Sequence, residues 1–174
     1  ADGDYDSAAD TLTFAVGETS KTVSVTINGD TKFEDDETFT LTLTANTNVT
    51  ADTGNDLTNA EAADNVATGT ITNDDSTPTI SIADASVNEG DSSTANLTFT
   101  VTFTNASENA ITLNYGSADG TGTISDADYS SANVTAFTIA AGTTSNTFDV
   151  SVNGDGKLET DETFAVTISN ASEG

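Results

Sequence analysis

The sequence predicts an all-β fold, tandem antiparallel β-sandwiches, and three observations predict it. Segments of five to seven residues alternate apolar side chains with Thr or Ser, the period-2 pattern of half-buried strands. Turn formers such as Asn28-Gly29-Asp30, Asn73-Asp74-Asp75, Ala141-Gly142-Thr143 and Asn153-Gly154-Asp155 punctuate them. Residues 28–44, NGDTKFEDDETFTLTLT, recur at 153–169 as NGDGKLETDETFAVTIS, an offset of 125, so the unit is present twice.

The elements follow in order. KTVSVTI (21–27) reads as a strand with Val23, Val25 and Ile27 turned inward, followed by the acidic turn and then by the strand FTLTLT (39–44). Residues 45–65 have no apolar period and read as a long loop, and VATGTITNDD (66–75) carries the last strand of the first copy. The first module is therefore placed at 1–75 as a C-terminal part, with a short linker at 76–79 that contains the single Pro. The second module, 80–174, opens near PTISIADASVNEGD and stops before any counterpart of the last strand. Its strands include LTFTVTF (97–103), with Leu97, Phe99, Val101 and Phe103 inward, and FDVSV (148–152). Asp4-Tyr5 matches Asp128-Tyr129 at an offset of 124, one residue short of the turn's offset. A piece of a longer protein is expected.

Composition narrows the functional classes. With 29 acids, three lysines and neither Arg nor His, the formal charge of −26 repels phosphate backbones and anionic lipid headgroups, so no nucleic-acid partner is expected. No apolar run approaches the roughly 20 residues that span a bilayer, so membrane insertion is not expected either. Cys is absent, which removes disulfides and thiol chemistry as sources of rigidity and leaves a metal as the substitute.

The acidic turns point to that metal. Asp30, Glu34, Asp35, Asp36 and Glu37 are expected at one end of the sandwich with Asp74 and Asp75, where seven like charges would repel. Calcium, with six to eight oxygen ligands at about 2.3–2.6 Å, suits carboxylates from turns; magnesium keeps its waters and zinc wants His or Cys. A salt-adapted acidic surface is the alternative, but it should also scatter acids over the strand faces, which carry Thr, Ser and Asn instead, with Asp149 an exception. The EF-hand order and the Gly-rich calcium nonapeptide are both missing.

VNEGD (87–91), YGSADGT (115–121), the DY pair (128–129), the FEDDETF turn and ATGTITNDD together resemble the Calx-beta domain family, over nearly the whole chain. The resemblance implies a seven-stranded immunoglobulin-like sandwich with calcium at one end. It implies as ligands Glu89 of the early acidic turn, Asp119 of the D-G-T turn, Asp30 and Asp155, Glu34 and Glu159 of the two repeated turns, and Asp74 and Asp75 at the close. Gly29 and Gly154 stand where the family members of sodium/calcium exchangers carry a further turn aspartate, and Asn73 replaces the first closing aspartate, so the resemblance implies fewer or weaker ions.

Other readings carry less. Paired carboxylates serve glycosidases, but a chain without Trp or Arg lacks the walls of a sugar cleft, and no enzyme activity is expected. Thr38, Thr40, Thr42 and Thr44 form a hydroxyl rank of the kind that meets ice, yet Thr on a solvated strand face needs no ligand. Five Asn-x-Ser/Thr sequons, at Asn48, Asn96, Asn105, Asn133 and Asn170, arise readily in so Asn- and Thr-rich a chain. The expected role is a calcium-stiffened module of an extracellular, bacterial surface or adhesin-like tandem array, whose partners are neighbouring modules or copies of itself. The alternative is a filament subunit, with a neighbour's strand filling the place of the last strand in the second module.

Overall fold

The computed structural model describes residues 3–44 and 66–172, and these divide into two compact units. The first unit is Ala1–Thr31 with Asp35–Asn73; the second is Lys32–Glu34 with Asp74–Gly174. All regular structure among the described residues is β. The expected loop at 45–65 lies outside them.

The second unit is a sandwich of two three-stranded antiparallel sheets. One sheet orders β3 (Ile80–Ile82), β4 (Ser93–Phe103) and β7 (Ser145–Gly154); the other orders β6 (Asn133–Ile139), β5 (Ile111–Asp119) and β8 (Phe164–Ser169). The alternation in β4 does what its sequence dictates. Leu97, Phe99, Val101 and Phe103 are buried, and they meet Ile111 and Leu113 of β5, Ile139 of β6, and Phe148 and Val150 of β7. The intervening positions form polar cross-strand pairs on the outer face: Ser81 with Thr102, and Thr98 and Asn96 donating to Asp149. Aromatic rings tie the layers together. Tyr115 stacks on Phe148 with centroids 3.8 Å apart, Phe99 stacks on Phe148 at 5.6 Å, and Phe99 meets Phe164 edge-on at 6.2 Å.

β5 and β6 lose register once. Leu113 faces Phe137 but Tyr115 faces Val134, so two residues of β6 stand opposite Asn114. Ala136 takes a positive φ of 63° there, and its N–H donates to Asn114 Oδ1 at 3.1 Å. The Asn side chain thus satisfies the amide that the bulge displaces from the ladder.

The first unit pairs β1 (Glu37–Thr42) antiparallel with β2 (Val66–Ile71). Phe39 lies across Gly69, its register partner, where a Cβ would collide with the ring. The same ring stacks on Tyr5 at 4.8 Å. The repeat read from the sequence is also visible atom by atom. Tyr5 bridges Ile27 as Tyr129 bridges Val152. Asn28 N–H donates to Asp4 O at 2.7 Å as Asn153 N–H donates to Asp128 O at 2.9 Å, and each Asn side-chain amide donates to the residue before that Asp. Tyr129 stacks on Phe164 at 4.1 Å, the counterpart of Tyr5 on Phe39.

Residues 21–27, expected as a strand, are the correction. Only Ile27 is bridged, and Val23 and Ile27 of the supposed inward row remain 36% and 46% exposed. Alternation marks which side chains share a face, but a ladder also needs a neighbour. In the second unit the matching segment of β7 has β4 beside it, whereas among the described residues of the first unit nothing stands in that place.

Candidate metal centre

The sequence-predicted ligands divide between the units. Asp30 falls in the first; Glu34, Asp74 and Asp75 fall in the second, with Glu89, Asp119, Asp155 and Glu159. The second unit is where an acidic end can be followed residue by residue.

Asp119 ends β5, and its Oδ1 accepts from Tyr129 Oη at 2.7 Å and from the Ile124 amide at 3.1 Å. The buried Tyr129 ring therefore sets the position of the carboxylate. Asp128, the residue before Tyr129, accepts from the Thr123 amide through Oδ2 at 2.7 Å, so Asp119 and Asp128 hold the adjacent amides of Ile124 and Thr123. Asp155 and Glu159 belong to the repeated acidic turn. The Asp155 carboxylate receives the Lys157 amide at 2.6 Å, and the Lys157 ammonium donates to Glu159 Oε1 at 3.2 Å.

The charges converge on Glu162. Loss of hydration raises its carboxyl above the ordinary range, followed by the negative charges of Asp128 and Glu159, a hydrogen bond with Asp128, and the charge of Glu89. Glu89, Asp128, Glu159 and Glu162 thus share one electrostatic neighbourhood. Sequence reasoning named Glu89 and Glu159 but passed over Asp128 and Glu162 as ligands. The signal was present: Asp128 is the acid of the repeated Asp-Tyr pair, and Glu162 is the glutamate of the repeated Asp-Glu-Thr-Phe.

Lysine competes at this end. Lys157 has its ammonium pKa raised by the hydrogen bond to Glu159 and by the charges of Asp126, Glu159 and Asp155. The other turn repeats the pair, with Lys32 2.7 Å from Glu34. Among the described residues no group of three or more acids has its oxygens gathered closely enough to hold an ion. The donor chemistry fits a hard cation, since every candidate is a carboxylate; closing a coordination shell requires side-chain rotation and release of Glu159 from Lys157.

Gly154 has a structural reason to be glycine. A Cβ there would stand 2.5 Å from the carbonyl oxygens of both Glu89 and Gly90, so no aspartate side chain fits. A Cβ at Gly29 meets nothing within 4 Å.

The model of the Calx-beta domain matches residues 1–75 and again 72–174. The chain belongs to the Calx-beta family. Two tandem Calx-beta modules account for the internal repeat, and the sandwich of the second unit agrees with the family fold. Calx-beta domains are structural and binding modules and not a family of enzymes; they are typically extracellular, and some bind calcium. No curated protein matches this Calx-beta chain. No helix among the described residues is long and apolar enough to cross a membrane.

Proposed function

We propose that this chain is a calcium-binding structural part of an extracellular tandem-repeat surface or adhesin-like protein, in which calcium stiffens the modules and their linkers. The observation that supports the reading is the acidic end of the second unit, where hydrogen bonds from Tyr129 and the Thr123 amide fix the Asp119 and Asp128 carboxylates, and where loss of hydration and the charges of Asp128, Glu159 and Glu89 raise the Glu162 carboxyl. Bound calcium would supply compensating charge to carboxylates that otherwise repel. Glu89, Asp119, Asp128, Asp155, Glu159 and Glu162 would hold it in the second module. Tyr129 orients Asp119, and the Thr123 amide orients Asp128, so two donors are preset. Asp74 and Asp75 stand beside the linker and are the residues through which the ion would reach it.

Small-angle scattering with and without calcium tests the stiffening. The maximum dimension should increase in calcium, and Asp74→Asn with Asp75→Asn should remove most of the change. An equal dimension in calcium and in chelator would reject it.

A further inference from the structure

An aspartate or asparagine followed by glycine can rearrange its own backbone, because glycine sets no side chain between its amide nitrogen and the preceding side-chain carbonyl carbon. The second unit carries three such pairs: Asp119-Gly120, Asn153-Gly154 and Asp155-Gly156. The fold locks two of them. Gly120 donates its amide to Gly122 O at 3.2 Å, the Thr163 carbonyl closes over its Cα, and Tyr129 Oη and the Ile124 amide hold the Asp119 carboxylate. Gly154 ends the β4 to β7 ladder opposite Ser93, closed over by the carbonyls of Glu89 and Gly90, and the Asn153 carboxamide donates to Ala127 O at 2.6 Å. Ring closure needs backbone and side chain to rotate together, and neither pair has the room.

Asp155-Gly156 is open. It lies past the end of β7, a Cβ at Gly156 would meet nothing within 4 Å, and among the described residues no hydrogen bond engages the Gly156 amide. The Asp155 side chain is 43% exposed and folds back along the chain, since its Oδ1 accepts from the Lys157 N–H at 2.6 Å. A bond from the side chain to the amide two residues on closes a ring around the intervening amide, which brings Cγ alongside the Gly156 nitrogen. The same bond, with the Lys157 ammonium 3.9 Å from Oδ2, draws electron density from the carbon under attack. The first unit supplies a comparison. Asp30 and Thr31 stand at the equivalent positions and are exposed with that unit's last strand, β2, in place, but the branched Thr31 side chain shields its nitrogen.

We propose that Asp155 is a site of spontaneous covalent modification, at which the Asp155-Gly156 peptide rearranges to isoaspartate without an enzyme. The Gly156 nitrogen bonds to Asp155 Cγ, and one carboxyl oxygen leaves Cγ as water with the carboxyl and amide protons. Water then opens the five-membered imide. Addition at Cγ restores aspartate; addition at the main-chain carbonyl carbon leaves Gly156 joined through Cγ and frees the former main-chain carbonyl as a carboxylate. One water is released and one consumed, and nothing is oxidised or reduced. The product carries one extra carbon in its backbone and a carboxylate set directly on Cα, so the acidic turn is lengthened and its charge displaced. The inference goes beyond the calcium reading and does not depend on it.

The full chain is aged at neutral pH in chelator, folded and, in parallel, unfolded in guanidinium. Electron-transfer fragmentation of its peptides separates isoaspartate from aspartate at equal mass, and a gain in mass reports loss of the Asn153 amide. In the folded chain isoaspartate should accumulate at Asp155 at least about tenfold faster than at Asp119, while Asn153 keeps its amide. Unfolding should bring Asp119 to within about threefold of Asp155 and release Asn153 to react. Gly156→Thr, which copies the first turn and sets its Cβ in open space, should slow the reaction at Asp155 by about tenfold or more. No isoaspartate at Asp155 in the folded chain, equal rates at Asp119 and Asp155 there, or an undiminished rate in the Gly156→Thr chain would overturn the proposal. Faster reaction at Asn153 than at Asp155 in the folded chain would overturn the assignment of the site.

Discussion

Gly154 and Gly29 occupy equivalent turns and should respond differently to one added methyl. Gly154→Ala drives a Cβ against two backbone carbonyls that belong to a neighbouring segment, and backbone cannot yield as a flexible side chain can. Overpacking of this kind costs about 1–3 kcal/mol, whereas Gly29→Ala meets open space and should stay within about 0.5 kcal/mol. Denaturant unfolding of each variant measures both. Lys157 supports a second expectation, because its ammonium lies 3.2 Å from Glu159 and about the acidic turn in general. Lys157→Gln should tighten calcium binding by about three- to tenfold, since a unit positive charge near the ion is removed in a largely solvated setting. Calorimetric titration reads it, and weaker binding would mean that the lysine positions the turn instead of opposing the metal. The tyrosines give a pH dependence. Burial raises the Tyr115 phenol; burial and the hydrogen bond to Asp119 raise that of Tyr129. A folded-state pKa above the unfolded one means stabilisation that is complete below the unfolded value, about 10, and lost as pH rises through the folded values. The second unit should therefore lose stability above about pH 10, measured by denaturant midpoints at a series of pH values.

Among the elements, the bulge opposite Asn114 makes the clearest test of local design. Ala136 holds a left-handed conformation without being glycine, a strain of about 1–2 kcal/mol for an L residue. Ala136→Gly should recover part of that, about 0.5–1 kcal/mol after the entropy cost of glycine, while Asn114→Ala should cost about 1 kcal/mol by orphaning the Ala136 amide. Thermal unfolding of the two variants shows whether the signs are opposite. Much of the element order was legible in the sequence. β4, β7 and β8 carry strict alternation, and β4 buries the four side chains that its alternation marks. The bulge was not legible, because Asn114 and Ala136 are ordinary residues in ordinary strand patterns and the register shift exists only once β5 and β6 meet. Residues 21–27 were misread for the complementary reason: their pattern is that of β7, but pattern does not supply the neighbouring strand. For the candidate site, the resemblance directed attention to the acidic turns, and the described residues of the second unit add Asp128 and Glu162 to that turn's surroundings. It passed over Asp128 and Glu162 because one reads as the partner of a core tyrosine and the other as the start of a strand.

For the molecule as a whole, the central claim is that a carboxylate-rich end of a Calx-beta module, whose charge Lys157 offsets only in part, is completed by calcium. An ion that binds only the folded state stabilises it by RT ln(1 + [L]/Kd), about 2.7 kcal/mol when calcium is a hundredfold above its dissociation constant. For a module of about 100 residues each kcal/mol moves the melting temperature by about 4–8 °C. Magnesium, which holds its waters and demands a tighter octahedron, should give a smaller effect at equal concentration. Glu159→Gln together with Glu162→Gln should remove most of the calcium response while relieving repulsion in chelator. The most direct measurement is therefore differential scanning calorimetry of the chain in millimolar calcium, in millimolar magnesium and in chelator, with the double variant alongside. The account predicts a melting temperature raised by about 10 °C or more in calcium alone and a flattened response in the variant. Equal melting temperatures of the unaltered chain in calcium and in chelator would contradict it.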